Sequence, residues 1–355
     1  MKRIFMLVFT VAFCACLTSG VCALDTSAQS AILIEADSGR VIYEKNSDSR
    51  MPMASTTKIM TALVALENAD INEVVQIPPE AVGVEGSSVC LKAGESMTLE
   101  ALLYAMLLES ANDAAAAIAI TVGGSIEDFA VMMNEKATQL GLVNTSFANP
   151  HGLDAENHYT TAHELALIAA HALENEEFAR MVSTYKHNIP TQDGGYRYLM
   201  NHNKMLRFYS GAVGVKTGFT KKSGRCLVSA AERDGMKLVA VTLSAPDDWR
   251  DHTAMLDLGF EGYEKRVLAH DGEFEFTLEC VGKDTSHIKV KSVGVAEYCM
   301  PKDAGNVTQT VYLPRFVYAP KQVGECVGRV DFSFGSNVVA SVELVVSEVV
   351  ERKDS

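Results

Sequence analysis

The stretch Ser55-Thr56-Thr57-Lys58-Ile59-Met60-Thr61-Ala62-Leu63-Val64-Ala65-Leu66 decides how this chain is read. An apolar run of this length predicts a buried helix beginning at the serine. Residues three apart on a helix share a face, so the Lys58 ammonium reaches the Ser55 hydroxyl. A serine hydroxyl is a poor nucleophile until its proton is removed. A lysine removes it only when burial and nearby positive charge lower its pKa. Two further clusters follow in order, Ser110-Ala111-Asn112 and Lys216-Thr217-Gly218. Lys216 offers the second positive charge and Ser110 a proton relay between the lysines and a leaving group. The combination points to serine acyl transfer with lysine in place of histidine.

Each cluster alone is common. Ser183-Thr184-Tyr185-Lys186 repeats the first pattern and Lys222-Ser223-Gly224 the third. Context separates them: the Ser183 copy runs into His187, Asn188 and Pro190, and the Lys222 copy falls in a turn. Lys216 instead ends the apolar run Gly211-Ala212-Val213-Gly214-Val215, as an edge strand beside a cleft does, and Ser110-Ala111-Asn112 is the only SxN in the chain. There is no HExxH pair, and His163 and His171 on one helix make no metal site, so no metal or cofactor is expected. No GxSxG elbow is present, which argues against an ordinary α/β-hydrolase. His151 and Asp154 are read as loop-forming residues.

The 355 residues, 48% of them hydrophobic, suffice for two domains. Lys2-Arg3, the apolar run Ile4–Leu17 and the small residues before Ala23 read as a secretory signal peptide over 1–23, cut after Ala23. Loss of Lys2 and Arg3 takes the net charge from −14 to about −16, since residues 1–23 hold no acid. So acidic a chain disfavours nucleic acid and anionic membrane surfaces as partners. Cys90, Cys226, Cys280, Cys299 and Cys326 remain, an odd number with no CxxC pair, so the fold is not held by disulfides.

A hairpin is expected over Ser30–Tyr43, a mostly helical stretch from Leu99 to Leu142, a helix from Thr161 to Leu173, and strands at Gly211–Phe219, Arg225–Ala231 and Lys237–Leu243. Asp251–Leu258 reads as a closing helix. Beyond Val267 only short alternating runs occur, which predicts an all-β unit. The expected domains are 24–264 and 265–355. No amphipathic helix follows the last strand, so no C-terminal membrane helix is expected.

The residues resemble the serine-type D-Ala-D-Ala carboxypeptidases, the low-molecular-mass penicillin-binding proteins (peptidase S11-like). SxxK and KTG are shared with class A β-lactamases. Further landmarks stand in the right order: Gly86-Ser87-Ser88, Leu91-Lys92-Ala93-Gly94-Glu95, Asn149-Pro150-His151-Gly152-Leu153 and Gly214–Thr220. Ala111 stands where the β-lactamases carry an aspartate and the carboxypeptidases carry Gly or Ala. The resemblance implies an α/β (α+β) β-lactamase/transpeptidase-like domain, an antiparallel sheet flanked by a helical cluster, with a small all-β C-terminal domain. It implies Ser55 as nucleophile, Lys58 as general base and Ser110 as relay. Backbone N–H groups of Ser55 and Phe219 would form the oxyanion hole, beside Gly218. Lys216 and Thr217 would hold a terminal carboxylate, Asn112 would fix Lys58, and Arg250 would add carboxylate-binding charge. The implied partners are a peptidoglycan stem peptide ending in D-Ala-D-Ala and β-lactams as covalent inhibitors, outside the cytoplasm in wall or periplasm. Rival readings are a β-lactamase or esterase on the same fold and a non-catalytic wall-binding protein. Against the first, the chain lacks the deacylating ExxLN glutamate, since Glu164-Leu165-Ala166-Leu167-Ile168 has no asparagine.

Overall fold

A computed structural model of the chain describes residues 24–282 and 287–350. The expected signal peptide at 1–23 and the last five residues lie outside them. The chain opens with the hairpin β1 (Ser30–Glu35) and β2 (Val41–Lys45), and a 3-10 turn at Ala54–Thr57 then runs into α1 (Lys58–Asn68). A ribbon of β3 (Val74–Gln76) and β4 (Ser96–Thr98) closes the base of the loop between them. Helices α2 (Leu99–Leu108), α3 (Asn112–Gly123), α4 (Ile126–Gln139), α5 (Ala162–Ala172) and α6 (Glu176–Ser183) follow. Next come the hairpin β5 (Lys186–Pro190) and β6 (Tyr196–Met200) and the short α7 (Met205–Phe208). Strands β7 (Ala212–Thr220), β8 (Gly224–Arg233) and β9 (Met236–Leu243) lead into α8 (Asp248–Gly262).

The main sheet is antiparallel throughout, in the order β2-β1-β9-β8-β7, which leaves β7 on an edge as its sequence context suggested. Its two-residue period sorts the core. In β1, Ile32 and Ile34 face the helical cluster, while Ala31 and Leu33 face Met255, Leu256 and Phe260 of α8. A sheet covered on both faces calls for apolar residues on both sides of a strand, and the four central residues of β1, Ala31 to Ile34, are apolar and fully buried. Helix α1 is buried from Lys58 through Ala65. Truncating Leu63 there would cost about 2–5 kcal/mol. The alanines of α3, from Ala114 to Ala117 with Ala119, are all fully buried and let α3 approach its neighbours closely.

Two expectations need correction, the start of the Ser55 helix and the length of the closing one. Ser55 lies on the 3-10 turn and only Lys58 opens the α-helix. The Leu99–Leu142 stretch is mostly helical as expected, in three helices broken at Ser110, which holds φ +61, and at Gly124, which holds φ +87 beyond the last turn of α3. The closing helix is longer than read, Asp248–Gly262.

After α8 the described residues hold no helix. Strand β10 (Tyr263–Ala269) pairs with β13 (Ala296–Pro301). A six-stranded sheet has the order β14-β16-β17-β12-β11-β15. Its strands are β11 (Glu275–Val281), β12 (His287–Val293), β14 (Thr308–Tyr312), β15 (Phe316–Tyr318), β16 (Cys326–Phe334) and β17 (Asn337–Val346). Arg40, from the hairpin β1–β2, donates to the Cys299 carbonyl at 2.8 Å with its guanidinium over the Tyr263 and Tyr298 rings. Lys265 reaches Asp37 at 2.8 Å. These contacts tie the C-terminal strands to the main sheet.

Candidate active site

The turn that carries Ser55 is held from three sides. Ala54 holds φ +48, a left-handed conformation that costs an alanine about 1–2 kcal/mol. Gly152 holds φ +91 directly against it, and a Cβ there would stand 2.0 Å from the Ala54 carbonyl oxygen. Gly218 of β7 faces the other side, where a Cβ would stand 3.0 Å from the Ser55 nitrogen. From below, Thr57 Oγ1 donates to the Ala54 carbonyl at 2.7 Å and lies 2.7 Å from His158 Nε2. His158 Nδ1 accepts from the Ala148 N–H, so Nε2 carries the ring proton and donates to Thr57. Burial holds this imidazole neutral, with a pKa of about 4.

Lys58 is fully buried, and its Nζ has three acceptors: Ser55 Oγ at 3.0 Å, Asn112 Oδ1 at 2.7 Å and the His151 carbonyl. An ammonium satisfies all three. A neutral amine keeps its N–H bonds to Asn112 and His151 and turns its lone pair to Ser55, whose O–H then donates. Burial and, second, the Lys216 charge lower the Lys58 pKa well below its usual value, with Asp113 opposing. Lys216 is also buried, and burial brings it to about 7 against a counter-effect from Glu109. Its Nζ donates to the Thr217 carbonyl at 2.9 Å. The break between α2 and α3 turns Ser110 toward the cleft, where Ser110 Oγ makes no hydrogen bond among the described residues. Asn112 is fixed by its N–H on the Ser87 carbonyl and its Nδ2 on the Glu85 carbonyl. Asp113 binds the same loop through Ser88 Oγ and the Leu91 N–H. The cleft measures about 360 Å³, and Ser55, Ser110, Thr217, Gly218 and Phe219 line it.

A family model described as D-alanyl-D-alanine carboxypeptidase matches residues 18–247. The chain is 32% identical over 335 residues to D-alanyl-D-alanine carboxypeptidase DacF of Bacillus subtilis, covering 92% of this chain and 86% of that one. Its fold matches the crystal structures of penicillin binding protein 5 from Haemophilus influenzae with a TM-score of 0.78 at 26% identity, over 94% of this chain and all of that one. A mutant of Streptomyces K15 DD-transpeptidase matches with a TM-score of 0.64 at 33% identity, over 67% of this chain and 99% of that one. This chain belongs to the D-alanyl-D-alanine carboxypeptidase family.

Within this carboxypeptidase-family site one expected residue is absent. Arg250 lies on the solvent side of α8, 69% exposed, paired with Asp247 at 3.3 Å, and does not line the cleft. The guanidinium in the cleft wall is that of Arg225, which sits opposite Phe219 in the β7–β8 pairing. Asp248, 3% exposed, grips it side-on, with Nε at 3.1 Å and a terminal nitrogen at 2.8 Å. That grip uses Nε and one terminal nitrogen and leaves the other terminal nitrogen without a hydrogen bond among the described residues. Trp249 lies beside it, and the Lys204 ammonium stands 5.9 Å from the Trp249 ring centroid. Sequence reasoning also missed the His151 carbonyl, His158, Ser87 and His202. A lone histidine in a loop carries no signal of which backbone atom will be used.

The lookalike clusters are surface features. Ser183 ends α6 with its hydroxyl on the Arg180 carbonyl, and Lys222 is exposed in the β7–β8 turn. The Glu164 carboxylate accepts from the Val143 and Asn144 N–H groups and Thr145 Oγ1, so it is committed to a loop. Cys226 is buried as core, its thiol pushed up to about 11.

Proposed function

We propose that this enzyme removes the terminal D-alanine from peptidoglycan stem pentapeptides through an acyl-serine intermediate. Neutral Lys58 takes the Ser55 proton as Ser55 Oγ bonds to the carbonyl carbon of the penultimate D-alanine. Backbone N–H groups of Ser55 and Phe219 hold the oxyanion. The C–N bond then breaks, and Ser110, with Lys216 behind it, passes a proton to the departing amine. Thr217 and Lys216 hold the terminal carboxylate beside Gly218, and Arg225 takes the place expected of Arg250. Water hydrolyses the acyl-enzyme. The observation that carries this reading is the buried Lys58 amine 3.0 Å from Ser55 Oγ.

β-Lactams acylate the same serine, and without a deacylating glutamate at the site the penicilloyl-enzyme clears slowly. Catalysis belongs to residues 24–264 and the β-rich unit to 265–355, with β10 pairing into the latter. The substrate places the enzyme outside the cytoplasm, in wall or periplasm, and residues 1–23 serve as its signal peptide. No single helix among the described residues is long and apolar enough to cross a membrane. The test is incubation with a D-Ala-D-Ala pentapeptide. Free D-alanine is expected, with loss of both release and fluorescent-penicillin labelling in a folded Ser55→Ala variant. Persistent labelling of that variant would move the nucleophile elsewhere.

A further inference from the structure

Residues 82–95 run beside the cleft with neither helix nor strand, and Ser87 among them lines it. A loop of this length with no secondary structure of its own is uncommon in a compact domain. Of its residues only Leu91 and Glu95 are buried, so burial does little to place it. Its backbone nevertheless holds the site, because the Ser87 and Glu85 carbonyls accept the two bonds that fix Asn112. Gly86 presses on the same amide, since a Cβ there would stand 2.8 Å from Asn112 Nδ2. Something outside the loop must keep those carbonyls in place.

Two opposite charges grip the loop at one residue. Asp113 accepts from the Val89 N–H at 3.3 Å, besides Ser88 Oγ at 2.6 Å and the Leu91 N–H at 3.0 Å. Arg197 of β6 donates from Nε to the Val89 carbonyl at 3.0 Å and from a terminal nitrogen to the Cys90 carbonyl at 3.4 Å. Val89 lies two residues beyond Ser87. Arg197 is itself locked in a fork on Glu95, with bonds of 2.6 and 2.9 Å. Those bonds hold the Glu95 carboxyl below its usual range, against its burial, and the Lys92 N–H adds a third at 3.1 Å. The hairpin that carries Arg197 is rooted in the helical cluster. Ile189 and Leu199 are buried there, and His187 stacks on Tyr104 of α2 with ring centroids 3.7 Å apart.

An ordinary surface ion pair is exposed, loosely held and worth little. This pair is bidentate, with side chains only 16% and 8% exposed, and the arginine directs further donors at loop carbonyls. A planar fork of that kind fixes direction as well as distance. We propose that Arg197 is a positioning residue: locked on Glu95, it holds the 85–95 loop against Asn112 and thereby aims Lys58 at Ser55. The role rests on the proposed acylation of Ser55. Without the clamp the Glu85 and Ser87 carbonyls shift and Asn112 Oδ1 leaves Lys58 Nζ. The ammonium then loses an acceptor that favours it, so the Lys58 pKa falls further, and the amine loses a contact that orients its lone pair. The other titratable groups facing Lys58 are Lys216, Asp113 and the His151 and His158 rings, which burial keeps neutral. All four lie outside the loop and keep their charge.

The test is stopped-flow acylation of the full chain by a fluorescent penicillin across pH, with hydrogen exchange alongside, in wild type, Arg197→Gln and Arg197→Gln/Glu95→Gln. The double variant removes both charges, so it decides the question if an unpaired Glu95 stops Arg197→Gln from folding. A folded variant should acylate more slowly by roughly tenfold or more, with the rising limb of its profile moved to lower pH. Exchange should quicken over 85–95 and at the Asn112 N–H and stay unchanged elsewhere. Wild-type acylation, a slower rate with an unshifted limb, unchanged exchange at Asn112, or failure of both variants to fold would each overturn the positioning role and leave the catalytic reading standing. A wild type that takes up no penicillin would overturn both.

Discussion

Asn112 Oδ1 accepts a 2.7 Å hydrogen bond from Lys58 Nζ, while Asn112 Nδ2 donates to the Glu85 carbonyl. The two contacts fix which end of the amide meets the lysine. Asn112→Asp would set a carboxylate against the ammonium and remove the donor to Glu85. An opposite charge at that range favours the protonated lysine. The rising limb of the acylation profile should move to higher pH, with the rate at neutral pH down by roughly tenfold or more for each pKa unit regained. Stopped-flow acylation by a fluorescent penicillin across pH checks this. An unshifted limb would mean that Asn112 does not govern the charge on Lys58.

Much of this site was legible in the chain because its parts obey local rules. The apolar run after Lys58 forms a buried helix, and the run before Lys216 forms an edge strand. The fold class was legible for the same reason. The break at Ser110 was not, since nothing local forces a serine to φ +61. It is imposed by the loop that takes the Asn112 N–H and the Asp113 carboxylate. Arg225 was hidden in another way. It meets the cleft only because sheet register sets it opposite Phe219. The β5–β6 hairpin had its signal, Asp193-Gly194-Gly195 between alternating runs, and went unread.

Arg225 and Arg250 should separate in kinetics. Arg225→Gln removes a guanidinium held by Asp248 at the cleft wall, so KM for a D-Ala-D-Ala peptide should rise by roughly tenfold or more, with kcat much less affected. Arg250→Gln removes an exposed charge and should leave both constants unchanged. Steady-state D-alanine release on the two variants decides between them, and a KM effect in Arg250→Gln alone would restore the original assignment.

Gly152→Ala tests the packing around Ser55. Its Cβ would fall 2.0 Å from the Ala54 carbonyl oxygen and 2.9 Å from the Ser55 nitrogen, at φ +91. Backbone must move, at a cost on the order of 1–3 kcal/mol for each of the strain and the overlap. A Tm lowered by several degrees together with slowed penicillin acylation is expected. Normal acylation at a lowered Tm would show that the Ser55 turn tolerates displacement.

Lys216 links stability to pH with a definite sign. Burial lowers its folded-state pKa from 10.5 to about 7, so the unfolded chain holds the proton more tightly. The resulting cost to the native state is fully present below about 7 and fades as pH rises toward 10.5, so this group makes stability increase across that window. Lys216→Met keeps the volume and removes the charge. It should stabilise the fold by about 1–4 kcal/mol below neutrality. That gain should shrink toward zero near pH 10.5. The same variant should lose peptide hydrolysis, because the carboxylate and the proton relay both lose their cation. Urea denaturation of wild type and variant at the two ends of the window measures the effect. A gain independent of pH would place the stabilisation in packing and not in the buried charge.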